Sequence, residues 1–159
     1  MKRTMKRISS LLLVLAMASA MFLLPGCGGN SGGQASVTII RALSLGEIQP
    51  GDVVRVMWKE VRVGLVCGVS LSAVCFLKTM LVDRLLLGAS DITLAVALVI
   101  SLTLLVEVVF AKVVGCTFPI LAKKLGFDPA VMSSPFITTI VDALSLLIYF
   151  QFANLLLGL

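Results

Sequence analysis

The chain has 159 residues, 59% hydrophobic and 13% charged, with a net charge of +5 and a mean hydropathy of +1.13. Soluble domains are typically about 45–50% apolar and about 25% charged, so this chain has too few polar residues to cover a water-facing surface. Its Lys and Arg residues flank apolar runs instead of gathering on one face, which argues for interfacial anchors and against a nucleic-acid partner.

A basic tail, residues 1–7, opens the chain and leads into an apolar stretch, Ile8 to Leu24, followed by Pro25 and a glycine-rich run to Gly33. Two readings fit. In the first, residues 1–26 are a lipoprotein signal ending at Leu24-Pro25-Gly26, and Cys27 is lipidated; the basic start, apolar core and small residue before the cysteine follow ordinary signal logic. In the second, a retained helix runs over about 8–40 with a glycine-rich break. Gly28 and Gly32, and again Gly29 and Gly33, are four apart and would give backbone-thin strips for close helix packing.

Three further apolar runs follow at about 61–82, 92–122 and 133–158. Each approaches or exceeds the roughly 20 residues that cross a bilayer as a helix. None alternates with the period of two expected of barrel strands. The predicted fold is therefore all-α: a polytopic membrane helix bundle of about four transmembrane helices, with the bilayer as its solvent. Gln49-Pro50-Gly51-Asp52 marks a turn before the second run, and Gly126 is placed to cap the third. Gly64 and Gly68 repeat the four-residue packing spacing. With four crossings, the Lys and Arg residues other than Lys112 divide six and six between the two sides, so they set no orientation.

No phosphate loop, serine elbow or metallohydrolase pattern is present, and no enzymatic activity is expected. Histidine is absent and no Cys-x-x-Cys pair occurs, which argues against zinc. Cys67, Cys75 and Cys116 read as small hydrophobes.

The chemistry concentrates in the last run. Asp142 lies about two turns in, and a carboxylate there costs at least about 2.5–3.5 kcal/mol on insertion scales. Thr138, Asp142, Ser145 and Tyr149 fall at i, i+4, i+7 and i+11, one polar stripe on an apolar helix. Carboxylate and hydroxyl oxygens together suit hard cations such as Mg²⁺; the alternative is a structural Asp bonded to a neighbouring helix. Glu107 and Lys112, five residues apart, do not share a helix face. Glu107 is a further candidate for ion contact, and Lys112 is expected to snorkel or pair with a carboxylate on another helix.

Several stretches together resemble the membrane domain of MgtE-type magnesium transporters. They are Gly28-Gly29-Asn30-x-Gly32-x-Gln34-x-Ser36, Arg41-Ala42-Leu43-x-Leu45-Gly46-Glu47 and Gly115-x-x-x-Pro119. The most specific is Asp128-Pro129-Ala130-x-x-x-Ser134-Pro135-Phe136-Ile137-Thr138-Thr139-x-x-Asp142, ending in Ile148-Tyr149-Phe150. The resemblance implies a homodimeric Mg²⁺ pathway in the bacterial inner membrane, with Mg²⁺ as transported and bound ion and no organic cofactor. Its pore would be lined by the first and last helices of this chain. The family's central ion-binding aspartate matches Asp142; Asn30 matches a pore asparagine, Asp128 an acidic position near one pore mouth, and Glu47 a glutamate in a cytoplasmic loop. Thr138, Ser145 and Gly29 are then the pore-lining candidates.

MgtE proteins usually also carry an N-terminal helical domain, paired CBS domains and a preceding membrane helix, none of which this sequence shows. The resemblance thus implies a truncated form, which would transport as a homodimer or beside another MgtE-type chain. The alternatives are an inactive or accessory fragment and the lipoprotein lipidated at Cys27.

Overall fold

In a computed structural model, the described residues are 28–86, 88, 92–132 and 134–157. Among these residues four α-helices run: α1 over 28–44, α2 at Val53–Lys78, α3 at Leu94–Lys124 and α4 at Ser134–Leu157. Among the described residues there is no strand. The chain is an integral membrane protein. Pro50–Leu85, Leu94–Lys124 and Pro135–Leu155 are each long and apolar enough to cross a bilayer. The Ile8–Leu24 run and Cys27 lie outside the described residues.

The glycine-rich stretch 28–33 does not break α1 but is helical throughout. Isolated glycines weaken a helix, but here they let α1 press directly against its neighbours, and packing replaces what propensity withholds. α1 ends at a Schellman motif on Gly46 (φ 74°), with Glu47 N–H donating to the Ala42 carbonyl at 3.0 Å and Gly46 N–H to Leu43 at 3.4 Å. α3 ends the same way on Gly126 (φ 83°), with Phe127 N–H donating to Ala122 at 2.9 Å.

α2 begins earlier than the apolar run at 61. The Pro50–Asp52 turn starts it, with Gln49 N–H donating to Asp52 Oδ2 at 3.0 Å. Its first two turns carry Arg55, Lys59 and Glu60 beside the apolar Val56. Beyond Lys78 the helix widens to a π-helix over Thr79–Leu86, where Lys78 Nζ meets Asp83 Oδ2 at 2.9 Å. Residues five apart share a face when the turn is that wide. The Thr93 hydroxyl accepts from Val96 N–H at 3.3 Å and caps the start of α3.

α3 is the hub and the most enclosed span. Towards its C-terminal end Cys116 and Ile120 meet Ile39 and Leu43 of α1 and Val56 of α2. In its middle Ala111 and Val114 meet Ile137 and Val141 of α4. Nearer its start Ile100, Leu104 and Val108 meet Cys75 of α2 and Tyr149 of α4. α1 and α3 run parallel, while α2 and α4 run against them. Lys123 Nζ donates to the Leu43 carbonyl at 2.8 Å and ties the ends of α1 and α3 together.

Candidate functional site

The polar stripe of α4 turns inward, but its members divide. Ser145 is buried, and Asp142 is partly buried, with its Oδ1 fully enclosed. Tyr149 packs on the α3 cluster of Ile100, Leu104 and Val108. Thr138 donates its hydroxyl to the Pro135 carbonyl at 2.9 Å, within its own helix.

The glycines of α1 bring the inner oxygens together. A Cβ on Gly28 would lie 2.5 Å from Glu107 Oε1 and 3.0 Å from Ser145 Oγ. A Cβ on Gly29 would collide with the Asp142 carboxylate, whose Cγ would be 3.0 Å away. The Gly29 N–H is directed at that carboxylate. One peptide unit of α1 therefore touches Glu107 of α3 and Asp142 and Ser145 of α4. One turn on, a Cβ on Gly32 would meet the Ala111 carbonyl at 2.9 Å and Val141 at 3.2 Å, and one on Gly115 would run into the Gly32 carbonyl. Only residues without side chains permit this approach.

Glu107 is fully buried near the middle of α3, about 20 Å from the helix start at 1.5 Å per residue. It faces α1 and α4, whereas Lys112 turns to α2 and pairs with Glu60, Nζ to Oε2, at 3.6 Å. Both Glu107 oxygens, Asp142 Oδ1, Ser145 Oγ and Thr103 Oγ1 are buried without a hydrogen-bond partner among the described residues. Ser145 sits beside the Glu107 carboxylate, each near the same point over Gly28.

The other sequence candidates stand apart. Asn30 is exposed, on an uncovered polar face of α1 that continues through Gln34, Thr38 and Arg41. Glu47 is exposed beyond the end of α1, where it lines a cavity of about 430 Å³ with Arg41, Lys59 and Glu60. Asp128 is exposed in the α3–α4 link, its Oδ1 accepting from Ala130 N–H at 2.9 Å. The structure thus joins Gly29, Asp142, Ser145 and Glu107, and leaves Glu47 and Asp128 at the end of the bundle where α1 stops and α4 starts. Thr103 escaped the sequence reading. Its i, i+4 relation to Glu107 was the available signal, masked by the apolar residues around it.

Glu107, Asp142 and Ser145 form an all-oxygen, net-negative set of two carboxylates and a hydroxyl, with Thr103 Oγ1 about one turn away on α3. Such a set suits a hard cation and offers nothing to a soft one. Among the described residues no three His, Cys, Asp or Glu side chains gather as a dense metal cluster, so any ion here would keep water or backbone ligands.

Residues 21–152 match the MgtE family model, described as a divalent cation transporter. The chain is 38% identical over 144 residues to the magnesium transporter MgtE of Thermus thermophilus, covering 91% of this chain and 30% of that one. It is 38% identical over 133 residues to the magnesium transporter MgtE of Enterococcus faecalis, covering 84% and 28%. With the magnesium transporter MgtE of Bacillus subtilis it shares 36% over 141 residues, covering 89% and 30%. The chain spans only 28–30% of the length of these relatives. The match covers most of its residues, and on that ground the chain belongs to the MgtE family of divalent cation transporters.

Proposed function

We propose that the chain forms a membrane pathway for a divalent cation, Mg²⁺, lined by α1 and α4, with Asp142 as its central carboxylate. The observation that carries this reading is the seat of Asp142. Its side chain lies about two turns into α4, against Gly29, one residue from Asn30 on the uncovered polar face of α1. A carboxylate in a spanning helix normally faces a wet cavity or a bundle interior. A helix that turns polar residues outward in a membrane bundle needs something other than lipid to cover them. A second copy would do so, placing two Asn30–Arg41 faces and two Asp142 carboxylates about a twofold axis with water and ion between them. Another MgtE-type chain would cover the same face. The relatives' names as magnesium transporters supply the ion.

Uptake into proteoliposomes loaded with a Mg²⁺-sensitive dye tests the reading. The wild-type chain is expected to admit Mg²⁺, and Asp142→Asn to lower the rate at least tenfold. No uptake by the wild type, alone or with an MgtE-type chain, sinks the proposal. So does equal uptake by Asp142→Asn.

A further inference from the structure

We propose that Glu107, Ser145 and Thr103 form, beside Asp142, a second station for the divalent cation within a single chain. The station deepens the proposed pathway and rests on the reading of Asp142 as its carboxylate.

Four observations converge on it. Glu107, Thr103 and Ser145 are 0%, 0% and 2% exposed, and Glu107 Oε1 and Oε2, Thr103 Oγ1 and Ser145 Oγ have no partner among the described residues. Folded proteins leave few buried polar atoms unpaired, and an orphaned carboxylate is the costliest kind. Second, the two carboxylates both lie against the Gly28–Gly29 peptide, and ionised they would repel. A cation between them reverses that repulsion. Third, the cation nearest in sequence does not serve. Lys112 on the same helix turns away to Glu60 of α2 and does not neutralise Glu107. Fourth, the floor is built of glycine. A methyl group at Gly28 would stand 2.5 Å from Glu107 Oε1 and 3.0 Å from Ser145 Oγ, within the space a ligand to those oxygens would take.

The chemistry selects the ligand. Two carboxylates match the charge of one divalent ion, and hydroxyl oxygens with retained water complete a hard-cation shell. Position gives the role. Ser145 follows Asp142 by about one turn of α4, and Thr103 precedes Glu107 by about one turn of α3, so the oxygens step along the span at intervals of roughly 5 Å. Adjacent weak sites let an ion enter one as another leaves, which conduction requires.

The test measures Mg²⁺ binding apart from transport. The purified full chain in nanodiscs is unfolded thermally in EDTA and across a Mg²⁺ titration; an ion that binds only the folded state raises the midpoint. Wild type is expected to respond. Glu107→Gln is expected to fold, with a midpoint in EDTA no lower than wild type, and to need at least tenfold more Mg²⁺ for the same rise. Ser145→Ala, which keeps every charge, should need roughly threefold more, and serves as the second variant should Glu107→Gln not fold. A Mg²⁺ response in Glu107→Gln equal to wild type overturns the station, as does an unchanged response in Ser145→Ala. Asp142→Asn uptake separates the two proposals. If it is lost while Glu107→Gln binds normally, the station falls and the pathway stands; if it persists, the pathway itself falls.

Discussion

Two seams in this bundle use the same packing device and treat polar groups in opposite ways. Between α2 and α3, Gly64 and Gly68 let the helices approach, with would-be Cβ atoms 3.2 Å from Val109 Cα and from the Leu105 carbonyl oxygen. The polar groups along that seam are paired: Lys112 with Glu60 at 3.6 Å, and the Ser72 hydroxyl with the Ser101 carbonyl at 2.6 Å. Between α1, α3 and α4, Gly28, Gly29, Gly32 and Gly115 bring the backbones closer still. There both Glu107 oxygens, Thr103 Oγ1, Ser145 Oγ and Asp142 Oδ1 have no hydrogen-bond partner among the described residues. Close packing alone therefore does not distinguish structure from function in this protein. What distinguishes them is whether the buried charge brings its own counter-charge.

The sharpest way to break the comparison is to make the first seam resemble the second. Lys112→Met removes one partner of a buried ion pair and strands Glu60, both side chains being only 11% exposed. Removing one member of such a pair typically costs about 3–5 kcal/mol, and thermal unfolding in detergent micelles should show a loss of about 3 kcal/mol. Adding Glu60→Gln should restore most of it. A single substitution that leaves the midpoint unchanged would mean the pair contributes nothing.

The next largest effect probes packing. Gly115→Ala places a methyl group against the Gly32 carbonyl, a backbone atom that cannot swing aside. Overpacking of this kind costs about 1–3 kcal/mol, and about 2 kcal/mol is expected. Gly64→Ala, where the approach is 3.2 Å, should cost less than about 1 kcal/mol. Equal losses would show the two seams to be equally tight.

Glu107→Gln inverts the sign expected from Lys112→Met. In EDTA it should leave stability unchanged or raise it by up to about 1 kcal/mol, because a buried unpaired charge is worse than a buried amide. A loss above that in EDTA would show that Glu107 is held by a partner in the apo state.

Much of this was legible in the sequence for identifiable reasons. Long apolar runs declare spanning helices because lipid tolerates little else. The last run showed its apolar span and, two turns in, its costly carboxylate Asp142. The glycine-rich stretch was harder. Local propensity favours a break there, and only the tertiary contacts with Glu107, Asp142 and Ala111 explain why it stays helical. The start of α2 was missed by several residues because its first turns are charged on one side, and hydropathy reads them as loop; the Gln49–Asp52 cap was the better signal. The spacing of Glu107 and Lys112 told that they point apart, but not towards what. That depends on which helices neighbour α3, and period alone carries no such information.

The smallest effect tests whether the paired seam owes its order to charge or to the sum of its polar contacts. Ser72→Ala removes the half-buried bond from the Ser72 hydroxyl to the Ser101 carbonyl, 2.6 Å long. The Ser101 carbonyl then keeps only its intrahelical partner, while Ser101 itself still donates to Ala97 at 2.7 Å. Side-chain hydrogen bonds between membrane helices average about 0.6 kcal/mol, because the chain unfolded in lipid also finds partners. A loss of that order is expected for Ser72→Ala, roughly a fifth of the loss for Lys112→Met. If Ser72→Ala costs as much as Lys112→Met, the seam is held by a hydrogen-bonded network in which charge has no special weight. The contrast with the unpaired oxygens around Glu107 would then rest on hydrogen-bond satisfaction alone.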